Sequence, residues 1–317
     1  MQAIDHEVLQ HALDWLQETR PWLCTIVKTL GSSPRPVGSV VVITDDGRQV
    51  GSVSGGCVEE DLVERLRAGE YAGERPELLE YGVSAEENER LGLPCGGRIT
   101  LLLQRLDETD RPWVESVLAA LDERHCVERH LDLTTGTTSL EPVAHFTSLS
   151  LSAKALRQCF GPRMRMLLVG AGQLAHSLAE LGLAMDYEVM VTDPREQFLA
   201  QWEGPPVDLV QGMPDDIIRE HAADRHSVII TLTHDPRIDD MALMEALSTD
   251  AWYVGALGSQ RTTDKRLTRL RQLDIPEEQI ARLHAPVGLD IGSKTPIEIA
   301  VAIMAQLTRL RRQPEAA

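Results

Sequence analysis

The stretch Met166–Ala175, which reads MLLVGAGQLA, decides the fold of the C-terminal half. An apolar run leads straight into Gly170-x-Gly172-x-x-Ala175, and a helical pattern follows. The first glycine permits a tight turn, the second lets the backbone approach a pyrophosphate, and the small third residue lets helix and strand pack closely. The free N–H groups of the helix start then face the anion. The motif therefore predicts a Rossmann-type turn for a phosphate-bearing ligand.

An acidic residue is expected at the end of the next strand, about 20 residues further on. Asp193 stands there, in the run VTDPR at 191–195. An acid in this place accepts a hydrogen bond from a free ribose 2′-hydroxyl, which favours NAD over NADP. The alternative is that the motif only closes a tight strand–helix turn, because a fold does not fix a ligand.

Strands and helices alternate throughout residues 163–317. The predicted strands are 164–169, 188–192, 208–210, 227–232 and 251–257. Such alternation is typical of a doubly wound parallel sheet, so this part is predicted to be a Rossmann-like α/β domain. Its last helix is predicted to begin at Thr295, where TPIE combines a capping box with a proline at the first helical position.

Two further loops leave the carboxyl ends of strands in this domain. One contains His234 and Asp235, and the other contains Gly258 and Ser259. Ligands of such sheets bind outside these strand ends, so His234 and Asp235 are candidate acid–base or ligand-binding groups. The alternative is a loop histidine beside an aspartate that caps the helix at Pro236.

The first 108 residues follow a different pattern, which predicts a smaller mixed α/β domain. Its predicted strands are 22–30, 39–44, 48–54, 77–81 and 98–106, with helices near the N-terminus and at 58–68 and an acidic loop at 84–93. Residues 109–162 look like a connector with one helix at 112–121 and β-like runs at 127–133 and 137–143. Gly161-Pro162 marks its boundary.

Two glycine-flanked cysteines carry the chemistry of this half. SGGCVE at 54–59 precedes a predicted helix, and PCGGR at 94–98 precedes a strand. Glycine pairs can form anion-binding nests, and a helix start or a nearby Arg98 lowers a thiol pKa. Cys57 and Cys95 are therefore candidate soft-metal ligands or sulfur carriers, although Glu59 adds opposing charge. The alternative is two small buried residues in tight turns.

Arg35 stands between two prolines in the loop GSSPRPVG at 31–38. Prolines restrict the loop, so the guanidinium loses little entropy on binding. Such an arginine suits bidentate contact with a phosphate. The alternative is a surface arginine in a turn.

Composition excludes several classes of partner. The chain of 317 residues carries 49 acidic and 31 basic residues, a net charge of −18. Nucleic acids and anionic membranes require clustered Lys and Arg, so neither is an expected partner. The N-terminal pattern does not fit a secretory signal, and no apolar run reaches transmembrane length. Five scattered cysteines fit a reducing cytoplasm better than a disulfide framework.

Several stretches resemble the XdhC/CoxI family, the xanthine dehydrogenase accessory factors. In the N-terminal domain they are GSSPRPVGS at 31–39, GSVSGGCVEEDL at 51–62 and LPCGGRI at 93–99. In the Rossmann domain they are LLVGAGQLA at 167–175, TDPRE at 192–196, TLTHD at 231–235, GALGSQR at 255–261 and APVGLDIGSKTPIEIAVAI at 285–303. They follow the expected order and cover most of the chain apart from the connector.

The resemblance implies a chaperone for the molybdenum cofactor (molybdopterin with its metal). Such a protein binds the cofactor, protects it during sulfuration by a cysteine desulfurase, and hands it to a xanthine dehydrogenase-like molybdoenzyme. Cys57 then matches the cysteine with a suspected cofactor or sulfur role, and Arg35 and Arg98 would hold the pterin phosphate. A homodimer is also suggested. The candidate cofactor-binding residues are Arg35, Gly55, Gly56, Cys57, Glu59, Cys95, Gly96, Gly97, Arg98, Gly170, Gly172, Ala175, Asp193, Gly258 and Ser259.

Two other classes of function stay open. One is an NAD-dependent oxidoreductase that uses Asp193, His234 and Asp235, although the sequence lacks a base paired with a substrate-anchoring arginine. The other is a sulfurtransferase with a persulfide on Cys57. The chain departs from many relatives at Gln173, where they carry histidine, so no histidine role is expected at that position.

Overall fold

The computed structural model describes residues 3–31, 35–90 and 97–312. The chain divides into two compact units, Met1–Pro162 and Arg163–Ala317. Residues 109–162, which the sequence set apart as a connector, thus belong to the first unit. The division falls at the Gly161-Pro162 boundary.

An antiparallel five-stranded sheet forms the centre of the first unit, in the order β3-β2-β1-β5-β4. The strands are β1 Trp22–Leu30, β2 Val40–Ile43, β3 Gln49–Gly51, β4 Glu77–Tyr81 and β5 Arg98–Arg105. Helix α2 (Cys57–Arg67) packs on one face through Val58, Leu62 and Leu66, whose spacing places them on one side of the helix. Helices α1 (Ala3–Trp15) and α4 (Arg111–Asp122) pack on the other face.

A second antiparallel sheet completes this unit, in the order β7-β6-β9-β8. Its strands are β6 Cys126–Asp132, β7 Thr138–Val143, β8 Ser150–Leu151 and β9 Ala155–Phe160. The sequence predicted β6 and β7 but no strand in the region of β8 and β9. Leu156 and Phe160 of β9 are buried and pair with Leu131 and Val127 of β6, so this strand contributes to the core of the unit. Residues Ala85–Arg90 form the short helix α3 within the predicted acidic loop.

The second unit has the predicted doubly wound architecture. Six parallel strands lie in the order β12-β11-β10-β13-β14-β15, the 3-2-1-4-5-6 order of a Rossmann fold. The strands are β10 Arg165–Val169, β11 Glu188–Thr192, β12 Asp208–Val210, β13 Ser227–Thr231, β14 Tyr253–Ala256 and β15 Leu283–His284. The helices are α5 Gln173–Ala184, α6 Glu196–Ala200, α7 Pro214–His221, α8 Pro236–Ser248, α9 Gln260–Gln272, α10 Glu277–Ile280 and α11 Pro296–Arg312. Apolar cores lie on both faces of the sheet.

A buried ion pair ties together two loops at the carboxyl edge of this sheet. Asp239 Oδ2 and Arg266 Nη2 are 3.0 Å apart, and both side chains are at most 3% exposed. Asp239 Oδ1 also accepts hydrogen bonds from the backbone N (3.2 Å) and Oγ1 (2.6 Å) of Thr233, after β13. Arg266 donates to the carbonyl of Leu257, after β14, at 3.2 Å. Burial raises the pKa of Asp239, while Thr233 and Arg266 act in the opposite direction.

Replacing Arg266 with methionine would leave Asp239 buried without its cation. We expect the free energy of unfolding to fall by about 3–5 kcal/mol, measured by urea titration with circular dichroism. Arg271→Gln is a matched control, because Arg271 pairs with Glu277 on the surface and exposed pairs contribute little. An unfolding curve of Arg266→Met that overlays the control curve would contradict the anchoring role.

Candidate functional site

The β10–α5 turn leaves open space in front of a helix start. Gly170 has a φ of +114°, and a Cβ there would lie 2.8 Å from Thr233 Cγ2, so a larger residue does not fit. Gly172 is the N-cap of α5, and a Cβ on it would meet nothing within 4 Å. Ala175 is fully buried, as close packing of helix and strand requires. An anion in this space would face the N–H groups of the first turn of α5.

This turn lies where the strand order of the sheet reverses. Val169, the last residue of β10, pairs with Thr192 of β11 on one side and Thr231 of β13 on the other. The Oγ1 atoms of both threonines are buried, and neither has a hydrogen-bond partner in the described part of the chain. Ligands of open α/β sheets bind at such reversal points, and a bound ligand or water can satisfy orphaned hydroxyls.

Asp193 follows β11, but its carboxylate is already occupied. Oδ1 accepts hydrogen bonds from the backbone N (3.0 Å) and Nε (2.8 Å) of Arg195. Oδ2 accepts from the backbone N of Ala171 (3.1 Å) and Nη2 of Arg195 (2.8 Å). Burial raises the pKa of Asp193, but these hydrogen bonds outweigh it and the pKa lies below its usual value. The sequence pattern predicted a role for Asp193 and none for Arg195, although the Asp-x-Arg spacing brings the two together.

Asp235 has a structural role at the same edge. It is the N-cap of α8, accepts a hydrogen bond from the backbone N of Arg237 at 2.9 Å, and pairs with the Arg237 guanidinium at 2.7 Å. The side-chain and backbone hydrogen bonds from Arg237 lower the pKa of Asp235 to about 2. A carboxylate with this pKa is a weak base at neutral pH. His234 beside it is exposed.

The loop after β14 also begins a helix. Ser259 is the N-cap of α9, and its side chain accepts a hydrogen bond from the backbone N of Thr262 at 3.2 Å. A Cβ on Gly258 would lie 3.2 Å from Cβ of Thr262, so the glycine permits close approach to α9. Both residues therefore shape the start of this helix.

In the first unit, two loops and the start of β5 lie towards one end of the five-stranded sheet. Leu30 pairs with Arg98 at this end, where β1 stops and β5 starts. A Cβ on Gly31 would lie 3.5 Å from Cα of Gly97, so the loop of Arg35 begins next to β5. Strand β3 ends on the same side, because β2 is antiparallel to both β1 and β3. The 52–56 loop before α2 therefore lies at this end as well.

The glycines of the 52–56 loop face open space at the start of α2. Gly55 and Gly56 have φ values of +142° and +135°, and a Cβ on either would meet nothing within 4 Å. Cys57 is the first residue of α2, but its side chain lies outside what the structure describes. Cys95 and Gly96 also lie outside the described residues. Their predicted roles stay predictions.

The carboxylate of Glu59 holds this loop together. Oε1 accepts hydrogen bonds from Ser52 Oγ (2.7 Å) and the backbone N of Val53 (2.8 Å) and Ser54 (2.9 Å). Oε2 accepts from the backbone N of Gly56 (3.1 Å) and from Ser54 Oγ. Burial by itself raises the pKa of Glu59, but the hydrogen bonds from Ser54, Ser52 and the backbone lower it to about 2. Glu59 therefore shapes the loop, and a contact with a cofactor would compete with these bonds.

The low pKa makes Glu59 a source of pH-dependent stability. Its contribution to the free energy of unfolding is complete at pH values above 4.5, the ordinary pKa of glutamate, and is lost as the pH falls towards 2. We expect Glu59→Gln to lose about 2 kcal/mol of unfolding free energy at pH 7 and to show a weaker acid dependence than the parent between pH 4.5 and 2. Urea titrations across this range measure both effects.

Glu60→Gln is the matched control, because Glu60 is the exposed neighbour of Glu59 on α2. It should unfold like the parent chain at every pH. An unchanged acid dependence in Glu59→Gln would contradict the clamp role of Glu59.

None of the helices in the described ranges is both long and apolar enough to cross a lipid bilayer.

The chain matches two family models. The model described as the XdhC Rossmann domain matches residues 166–307, within the second unit. The model described as the XdhC and CoxI family matches residues 14–82, which include the loops of Arg35 and Gly55-Gly56. The two matches lie in separate units and follow the order in which the sequence analysis placed the family motifs.

Full-length relatives agree with these matches. The chain is 28% identical to the molybdenum cofactor insertion chaperone PaoD of Escherichia coli, over 98% of this chain and 90% of the relative. It is 27% identical to a protein of Bacillus subtilis named as a probable xanthine dehydrogenase subunit, over 92% and 93% of the two chains. A crystal structure described as a xanthine dehydrogenase of Bacillus halodurans superposes with a TM-score of 0.74 at 25% identity, over 99% and 98% of the chains. The chain belongs to the XdhC and CoxI family.

Proposed function

We propose that this chain is a chaperone of the molybdenum cofactor. It binds the cofactor in the first unit, holds it during sulfuration by a cysteine desulfurase, and delivers it to a xanthine dehydrogenase-like molybdoenzyme. The names of the relatives from Escherichia coli and Bacillus subtilis support this role. The observation that carries it is that the loop of Arg35, the 52–56 loop and the start of β5 lie towards one end of the five-stranded sheet.

These loops have the chemistry that a phosphorylated metal–pterin requires. Gly55 and Gly56 leave the backbone open in front of α2, where an anion is stabilised by the helix start. Arg35 and Arg98 belong to the loop and strand next to each other at this end, and guanidinium groups bind phosphate through paired hydrogen bonds. The thiol of Cys57, the first residue of α2, would bind the soft metal or carry the sulfur atom.

An oxidoreductase is less consistent with the second unit. Two of the three groups predicted for such an enzyme, Asp193 and Asp235, are each paired with an arginine, and the third, His234, is exposed. A carboxylate that acts as a general base needs a free oxygen and a pKa near the working pH. The geometry therefore favours binding over proton transfer at this edge.

Cys57→Ser tests the contribution of the thiol to binding and transfer. We expect at least an about tenfold loss of bound cofactor, or ~1.4 kcal/mol. Molybdenum and pterin are measured in protein purified from cells that make the cofactor, and delivery is measured by activation of a molybdenum-free molybdoenzyme. Mass spectrometry after incubation with a cysteine desulfurase should also show a persulfide that disappears in the variant.

Cys126→Ala is the matched control, because Cys126 is buried in the second sheet. It should retain cofactor and delivery. A Cys57→Ser protein that binds and delivers normally would remove Cys57 from the mechanism.

Arg35→Gln and Arg98→Gln test phosphate recognition. Each charge-assisted hydrogen bond contributes about 1.5–3 kcal/mol, so each variant should raise the Kd for molybdopterin by roughly tenfold or more and weaken its salt dependence. Arg20→Gln is the control, since Arg20 pairs with Asp107 on the surface. Equal affinities in the three variants, measured by fluorescence titration with molybdopterin, would contradict the assignment.

The second unit is proposed to bind a dinucleotide at the Gly170–Gly172 turn. The reversal of strand order, the open space before α5 and the orphaned hydroxyls of Thr192 and Thr231 support this. Here the pyrophosphate would contact the turn and the helix start, and the adenosine ribose would extend towards the end of β11.

A further inference from the structure

The end of β11 determines which adenosine ribose this turn accepts. An acid that recognises a ribose 2′-hydroxyl must present a carboxylate oxygen to it. Asp193 is fully buried, and each of its oxygens accepts two hydrogen bonds: Oδ1 from the backbone N and Nε of Arg195, and Oδ2 from the backbone N of Ala171 and Nη2 of Arg195. To expose an oxygen, the Arg195 side chain would have to leave, which breaks two charge-assisted hydrogen bonds. With Arg195 in place, Asp193 has no oxygen for a ribose hydroxyl.

At this strand end the guanidinium of Arg195 is partly exposed, whereas the carboxylate of Asp193 is buried. The Arg195 guanidinium lies over the ring of Phe198, with Cζ 3.9 Å from the ring centroid, and the Arg195 side chain is 35% exposed. Because Nε and Nη2 face Asp193, the plane and orientation of the guanidinium are fixed. A fixed, partly exposed guanidinium is suited to a phosphate and loses little entropy on binding it. In Rossmann folds, an arginine near this strand end accommodates a ribose 2′-phosphate.

The charges of this edge do not oppose such a phosphate. The charges of Asp235, the N-cap of α8, and of Asp239, in the first turn of α8, act on Arg195. Each of these carboxylates has its own arginine, because Asp235 pairs with Arg237 and Asp239 with Arg266. Asp193 is paired with Arg195 itself. Three acidic and three basic groups thus balance here, although the whole chain carries a net charge of −18.

We propose that the nucleotide of the second unit carries a phosphate on its adenosine ribose, as NADPH does, and that Arg195 binds this phosphate. The inference rests on the proposed dinucleotide site. It reverses the NAD preference that Asp193 suggested in the sequence, since the acid serves to position Arg195.

Binding of NADPH and NADH to the full chain tests the inference without any activity assay. The fluorescence of the reduced nicotinamide is titrated for both nucleotides. We expect NADPH to bind at least about tenfold more tightly than NADH, and the difference to shrink with salt. Arg195→Leu should lower the affinity for NADPH more than the affinity for NADH and thereby abolish the preference, because the variant lacks the guanidinium that binds the phosphate. Arg237→Leu is the matched control, since Arg237 is 89% exposed and pairs with Asp235, and it should keep the preference.

Competition on the parent protein gives a second measurement that does not depend on the folding of a variant. Adenosine 2′,5′-bisphosphate should displace bound NADPH at lower concentration than adenosine 5′-monophosphate. The inference is overturned if the parent protein binds NADH as tightly as NADPH or more tightly. It is also overturned if Arg195→Leu loses affinity for both nucleotides to a similar extent. Either result would still be consistent with the proposed dinucleotide site. If neither nucleotide binds while molybdopterin still does, the dinucleotide site and this inference both fall and the chaperone role stands.

Discussion

The Asp239–Arg266 pair fixes the edge of the sheet on which the rest of the second unit depends. Burying two charges is costly, and the cost is offset only when their remaining hydrogen-bonding groups are also satisfied. Here the second carboxylate oxygen binds Thr233 and the guanidinium binds the carbonyl of Leu257. Arg266 Nε has no hydrogen-bond partner among the described residues and lies 4.0 Å from Asp240 Oδ1, so the offset is incomplete. Thr233 in turn fills the space where a Cβ on Gly170 would lie. The shape of the glycine turn thus depends on an ion pair one loop away.

The first unit uses a buried carboxylate for a similar purpose. Glu59 accepts hydrogen bonds from hydroxyl and backbone N–H groups of the 52–56 loop. In the loop held in this way, Gly55 and Gly56 face open space. In both units, an internal anion that is fully hydrogen-bonded shapes a glycine loop. The loop can then receive an external anion, because the internal charge is already compensated by N–H, O–H or guanidinium groups.

The sequence predicted the second unit better than the first. Apolar runs, the glycine motif and regular alternation were sufficient for the Rossmann architecture, because parallel strands buried on both faces leave a strong pattern. β15 has only two residues, and the buried residues of β9 (Leu156, Gln158, Cys159 and Phe160) do not alternate strictly, so neither produces a readable period. The pairing of Arg195 and Arg237 with two acidic residues was not predicted, for another reason. Asp193 and Asp235 resemble free functional acids in sequence. The Asp-x-Arg spacing that they share is the available sequence signal, and the structure shows that Arg195 and Arg237 fold back onto them.

These pairings bear on the choice between a carrier and a catalyst. A catalyst for proton transfer needs at least one titratable group whose pKa is near the working pH and which reaches the substrate. The structure instead holds the pKa values of Glu59, Asp193 and Asp235 low, through hydrogen bonds within the chain. Such carboxylates remain ionised and keep loops in place while a ligand enters and leaves. These three carboxylates are therefore suited to holding loops in place and not to proton transfer, whereas His234, the other group predicted at the edge of the second unit, is exposed beside Asp235.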